Sequence, residues 1–144
     1  MGGVSLSYDM RIYDILNSFM YWGKVIKSSE MPKFKLYIAE MLRRNRVMIV
    51  NGEEGMECLI CYFLTNETEK FANRPMWSTP EDSTQSKTIF IDKMVARKWS
   101  RSLRDAVKNA INEKFPFVEE AHWLREPLNR HVIIDIRRTH VLYS

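Results

Sequence analysis

Residues 89–104 read Ile89-Phe90-Ile91-Asp92-Lys93-Met94-Val95-Ala96-Arg97-Lys98-Trp99-Ser100-Arg101-Ser102-Leu103-Arg104. The first half is apolar and rich in β-branched and aromatic residues, which predicts a strand over Thr88–Val95. From Trp99 the period changes. Trp99, Leu103, Ala106, Val107, Ala110 and Ile111 fall on one helical stripe, with Arg101, Arg104, Lys108, Asn109 and Glu113 elsewhere on the cylinder. A helix over Trp99–Lys114 follows, with Trp99 in its buried stripe. Ser100 or Ser102 caps its start, and Pro116 forces its stop.

Upstream, Met56–Leu64 is apolar on both faces apart from Glu57, the pattern of a central strand. Asn51-Gly52-Glu53-Glu54-Gly55 is a turn signal, so Arg46–Val50 pairs with Met56–Leu64 as a hairpin. Met31–Arg44 reads as a helix with Pro32 in its first turn and Phe34, Ile38, Met41 and Leu42 on its apolar face. An earlier helix is expected over Asp9–Lys27. Thr65–Lys87 is a long polar connection, a length usually associated with function or mobility; Phe71, Met76 and Trp77 can pin it to the body. Downstream, Val118–Leu124 and Val132–Arg138 read as strands joined by a turn at Glu126–Asn129. The second alternates, with Val132, Ile134 and Ile136 opposite Ile133, Asp135 and Arg137. The order is helix, helix, strand, strand, strand, helix, strand, strand. That is an α/β (α+β) domain with a mostly antiparallel mixed sheet.

The chain has 144 residues, of which 45% are hydrophobic and 28% charged, as expected for one packed domain over residues 1–144. No apolar run reaches the roughly 18 residues of a bilayer span. The first residues lack the pattern of a secretory signal, and Leu6 stands where a myristoylation motif wants Ser or Thr. A cytoplasmic protein with no membrane partner is the expectation. The net charge of +4 permits an anionic partner without demanding one.

Cys58 and Cys61 form a Cys-x-x-Cys, but no second Cys or His pair stands at zinc-finger spacing. On a strand, positions three apart point to opposite faces, so two buried thiols in a reducing compartment are expected rather than a metal or redox pair. His122, His131 and His140 match no metal-ligand spacing and read as structural or surface residues. There is no Gly-x-Ser-x-Gly, Walker loop or Gly-x-Gly-x-x-Gly.

Chemistry concentrates at the strand-to-helix junction. Lys93, Arg97, Lys98, Arg101 and Arg104 are five cations within twelve residues. The free N–H groups and partial positive charge of a helix start favour an anion, phosphate above all, and Arg adds bidentate contacts. Arg97-Lys98-Trp99-Ser100-Arg101-Ser102, together with the element order over roughly residues 9–138, resembles the GNAT acyltransferases. In that family a strand leads into an Arg/Gln-x-x-Gly-x-Gly/Ala turn whose amides hold the pyrophosphate of coenzyme A. Arg97 matches; Ser100 and Ser102 stand where glycines are usual, and their Cβ atoms restrict close backbone approach. No first strand precedes the helices, and no helix separates the last two strands. Phe90-Ile91-Asp92, the following helix, Phe115-Pro116 and the strand ending Leu124-Arg125 faintly resemble the toxin-activating lysine acyltransferases, although no His precedes His122.

The resemblance implies acyl transfer from acetyl-CoA or another acyl-CoA to an amine acceptor. Arg97, Ser100, Arg101 and Ser102 then hold the pyrophosphate. A backbone N–H on Met94, Val95 or Ala96 serves the oxyanion, because a splayed central strand offers unpaired amides. The amine must lose a proton, and Asp92, which shares face parity with Phe90 and Met94, or Glu57 is the candidate base. The alternative for each carboxylate is an ion pair with a neighbouring Arg or Lys. Tyr143 or Tyr62 is the candidate proton donor to the leaving thiolate.

A competing reading is a binding module for nucleic acid or an acidic protein. It draws on Arg43-Arg44-Asn45-Arg46, on Arg137-Arg138 and on stacking by Trp22, Trp77, Trp99 and Trp123. For Arg43 and Arg44 a helix C-terminus is explanation enough. A structural component of an oligomeric assembly is the third reading.

Overall fold

The computed structural model describes residues 26–52, 55–125 and 130–136, together with Asn17. The helix expected over Asp9–Lys27 lies almost wholly outside them. So do the tip of the first hairpin, the turn at 126–129, Arg137-Arg138, His140 and Tyr143.

The described chain is an α+β fold. Helix α1 (Met31–Arg43) precedes strands β1 (Val47–Gly52) and β2 (Gly55–Leu64), then a short helix α2 (Thr68–Ala72), which the sequence pattern did not announce. Strand β3 (Thr88–Ala96) runs into α3 (Arg101–Lys114), and β4 (Glu120–Arg125) and β5 (Arg130–Asp135) complete the sheet. The five strands lie in chain order, antiparallel at β1–β2, β2–β3 and β4–β5 and parallel at β3–β4. Among the described residues no helix is long and apolar enough to cross a membrane.

The sheet is apolar on both faces, and each face has its own core. Phe34, Tyr37, Ile38 and Met41 of α1 cover Leu59, Cys61, Phe63, Phe90 and Val95. Leu103, Val107 and Ile111 of α3 cover Met48, Val50, Cys58, Ile60, Tyr62, Ile89 and Ile91. Two layers of helix around a sheet explain why Met56–Leu64 has no polar face. Ile134 and Ile136 join the α3 core while Ile133 is 56% exposed, as the alternation of β5 requires. Trp99 departs from expectation. It precedes the helix instead of sitting in its stripe and is 49% exposed, because Ser100 takes the cap position and α3 begins at Arg101.

The ladder between β2 and β3 carries one extra residue. Cys61 opposes Lys93 and Tyr62 opposes Ile91, so Asp92 is inserted between them. Such a bulge bends the strand and reassigns faces. Asp92 reaches Tyr37 and Lys93 lies over Trp77, both on the α1 side. Met94, expected on the face of Phe90, instead packs with the α3 core.

Helix α1 ends in a Schellman arrangement. Arg46 N–H donates to Met41 O at 2.7 Å, Asn45 N–H donates to Leu42 O at 3.0 Å, and Asn45 itself sits at φ 57°. Asn tolerates this left-handed conformation better than most residues with a Cβ. Asn45→Ala is expected to cost about 1 kcal/mol in urea unfolding, while Asn45→Gly leaves stability unchanged or higher.

Candidate functional site

The parallel pair β3–β4 is in register for only three positions: Thr88 with Glu120, Ile89 with Ala121, and Phe90 with His122. Beyond Phe90, at the bulge, the two strands part. The hydrogen bonds to β2 show which peptide groups this exposes. Arg97 N–H donates to Glu57 O at 2.8 Å, so Arg97 and, by alternation, Val95 direct their peptide groups at β2. Met94 and Ala96 direct theirs at the opposite edge, where the ladder to β4 has already ended. Of the sequence-predicted oxyanion donors, Met94 and Ala96 therefore face the gap and Val95 does not.

The gap has a mouth on each face of the sheet. On the α3 side it is an apolar slot walled by Ile91, Met94, Trp99, Val107, Trp123 and Ile134. On the α1 side it is a cleft of about 300 Å3 walled by Arg74, Trp77, Phe90, Asp92, Lys93 and Leu124. The alternation of β4 sends Trp123 into one and Leu124 into the other.

The long connection 65–87 closes the α1-side cleft and is held by charge. Arg74 donates to both oxygens of Asp92, at 2.8 and 2.7 Å, and Tyr37 Oη donates to Asp92 Oδ2 at 2.5 Å. Arg74 also donates to Phe71 O and Ser78 O and lies over the Phe63 ring at 4.9 Å. Both members of the pair are shielded, at 11% and 6% side-chain exposure. At the other end of the segment, Arg44 donates to Thr79 O and Pro80 O, and Arg46 pairs with Asp82, which also accepts from Leu64 N–H. Between these anchors Trp77 is held at φ 68° against Phe34 and Tyr37. A positive φ in a bulky residue is strained and persists only where its surroundings over-determine it.

These contacts reassign several residues. Asp92 is ion-paired with Arg74, the alternative open for it from the sequence, and also accepts from Tyr37. The Arg43-Arg44-Arg46 cluster is engaged within the protein: Arg43 and Arg44 bond Glu40, and Arg44 and Arg46 hold the connection. Glu57 is half-buried on β2 opposite Arg97, roughly 15 Å along the sheet from Asp92, so the two carboxylates do not share one site. Arg97, Ser100, Arg101 and Ser102 lie together and exposed at the start of α3. Ser100 is the N-cap, accepting from Leu103 N–H at 3.0 Å. Its hydroxyl thus satisfies one amide of the helix start and leaves those of Arg101 and Ser102 facing outward.

Cys58 and Cys61 are buried on opposite faces, one in each core, as the strand reading required. His122 and His131, which sequence spacing did not pair, are brought side by side on β4 and β5. Nine residues of separation become proximity only through the hairpin, so no local signal announces it. Among the described residues no group of three or more His, Cys, Asp or Glu side chains converges as a metal cage.

No family model matches the chain, and neither a curated protein nor a solved structure matches it.

Burial pushes several acids of the core upward. The Tyr37 hydroxyl is raised well above 10.0 by desolvation, with Cys61 and Asp92 adding to the effect. Desolvation also lifts Cys58 from 9.0 to about 12 and Tyr62 from 10.0 to about 12. Their stabilisation is fully present below the unfolded values and is lost as pH rises through the folded ones. The urea midpoint is expected to hold steady to about pH 8 and fall between about pH 9 and 12. Both thiols should resist alkylation in the native protein and react on unfolding.

Proposed function

We propose that the chain is an acyl-coenzyme A-dependent N-acyltransferase of GNAT-like architecture. The observation that carries this reading is the parting of β3 from β4 immediately before a cationic, capped helix start. A closed ladder there would leave no room for a donor between the strands.

An extended, amide-bearing chain suits the gap because it restores the hydrogen bonds a neighbouring strand would make. The pantetheine arm of coenzyme A is such a chain. In this reading its pyrophosphate accepts bonds from the amides of Arg101 and Ser102 and from the guanidinium groups of Arg97 and Arg101. The outward amides of Met94 and Ala96 then meet the arm and the oxygen of the thioester carbonyl. Attack by the amine forms the amide bond and breaks the carbon–sulfur bond. The amine's proton leaves to a base, and the thiolate takes one from a donor.

Proton removal is assigned to Asp92 or, as the alternative, to Glu57, and proton donation to sulfur to Tyr143. Asp92 borders the cleft, and the bonds from Arg74 and Tyr37 orient it there. The unpaired thiols are in keeping with a reducing, cytoplasmic setting. The nucleic-acid alternative is weakened because Arg43, Arg44 and Arg46 are already committed within the protein.

Calorimetric titration with acetyl-CoA is expected to give saturable heat. The Arg97→Ala/Arg101→Ala double variant should lower the affinity at least about tenfold, in line with loss of charge-assisted bonds. Absence of heat with the native chain, or undiminished affinity in the variant, sinks the assignment.

A further inference from the structure

Across α2 from the cleft, on the same face of the sheet, lies an arrangement that acyl transfer does not use. His122 of β4 opposes Ile133 and His131 of β5 opposes Leu124, so the two imidazoles are diagonal neighbours. His122 Nδ1 and His131 Nε2 stand 3.0 Å apart, with the rings edge to face at 5.0 Å. The other nitrogen of His122, Nε2, is 3.1 Å from Glu120 Oε1.

The contact with Glu120 selects one tautomer of the neutral His122 ring. An ionised carboxylate only accepts, so Nε2 carries the hydrogen and donates to Glu120. In the neutral ring Nδ1 is then a bare lone pair. Two groups converge on it: His131 Nε2 at 3.0 Å and Thr68 Oγ1 at 3.1 Å. In the His131 tautomer with a bare Nε2, two lone pairs face each other 3.0 Å apart. A cation between the two nitrogens uses both lone pairs.

The spacing fits such an ion. Two imidazoles bound at about 2.0–2.1 Å, with an angle between about 90° and 109°, have nitrogens about 2.9–3.4 Å apart. The Glu120–His122 bond is the carboxylate–imidazole pairing that orients metal-bound histidines and raises their basicity. The site is also reachable. It opens into a cavity of about 620 Å3, walled further by Asn66, Glu67, Thr68 and Glu69. Glu67 pairs at the surface with Lys70, which lies in the same wall.

We propose that His122 Nδ1 and His131 Nε2 form a binding site for a divalent first-row transition ion, completed by water. Imidazole nitrogen selects Zn2+, Cu2+, Ni2+ or Co2+ over Mg2+ and Ca2+. Only two protein nitrogens are supplied, so positions stay open to solvent. The ion ties β4 to β5 beside α2, independently of any acyl donor in the β3–β4 gap.

The test is calorimetric titration of the full, tag-free chain with Zn2+ at neutral pH, together with electron paramagnetic resonance of one equivalent of Cu2+. The expected result is saturable one-to-one binding and splitting from two nitrogens. His131 is exposed, so His131→Ala should fold normally, lose at least about tenfold in affinity and show splitting from one nitrogen fewer. Glu120→Gln, which keeps both metal-binding nitrogens, should weaken binding about 10–100-fold. Zn2+ binding that is absent leaves a hydrogen-bonded imidazole pair only and overturns the site. Binding undiminished in His131→Ala puts the ion elsewhere and overturns it equally. Acetyl-CoA titration of the same His131→Ala variant keeps this result separate from the fate of the acyltransferase reading.

Discussion

The inserted residue of β3 sets the geometry on which the rest of the molecule depends. A regular strand would place Asp92 and Met94 on one face and continue beside its neighbours. With Asp92 inserted, Asp92 stays on the α1 side, Lys93 joins it there, Met94 turns to the α3 core, and the strand bends where its ladder to β4 stops. A single register change thus turns Lys93 to the α1 side beside Asp92 and supplies Met94 as an apolar wall for the slot below α3.

The carboxylate in turn organises the covering segment. A connection as long as 65–87 carries a large ordering cost, and it is met by a few strong polar anchors together with burial of Phe71 and Trp77 in the α1-side core. Asp92–Arg74 holds the α2 end; Arg46–Asp82 and the Arg44 bonds to Thr79 O and Pro80 O hold the other. Both ion pairs are shielded, and both are completed by further bonds from Tyr37 and from Leu64 N–H. Buried charges left without such completion would destabilise the fold. Arg44 and Arg46, at the end of α1, serve this task.

Much of the fold was legible because periodicity is local. The stripe Leu103, Val107 and Ile111, the doubly apolar run of β2, the alternation of β5 and the opposed thiols of Cys58 and Cys61 follow from spacing alone. Trp99 was misread because a stripe does not say where a helix begins; the Ser100 cap decides that. Helix α2 was missed because five residues are too few to show a period. The site was legible in part. The cationic turn stands out by composition, while the Asp92–Arg74 pair joins residues eighteen apart with no shared pattern.

The sequence by itself determined the alternation of strand and helix, the two-faced burial of the sheet and the charge gathered at the start of α3. These rest on interactions among near neighbours in the chain. Only the tertiary structure decided that β3 leaves β4 at Phe90, that Asp92 is bound rather than bare, and that His122 meets His131. Each depends on register between strands, and register is set by how whole faces pack, which no local window of sequence contains.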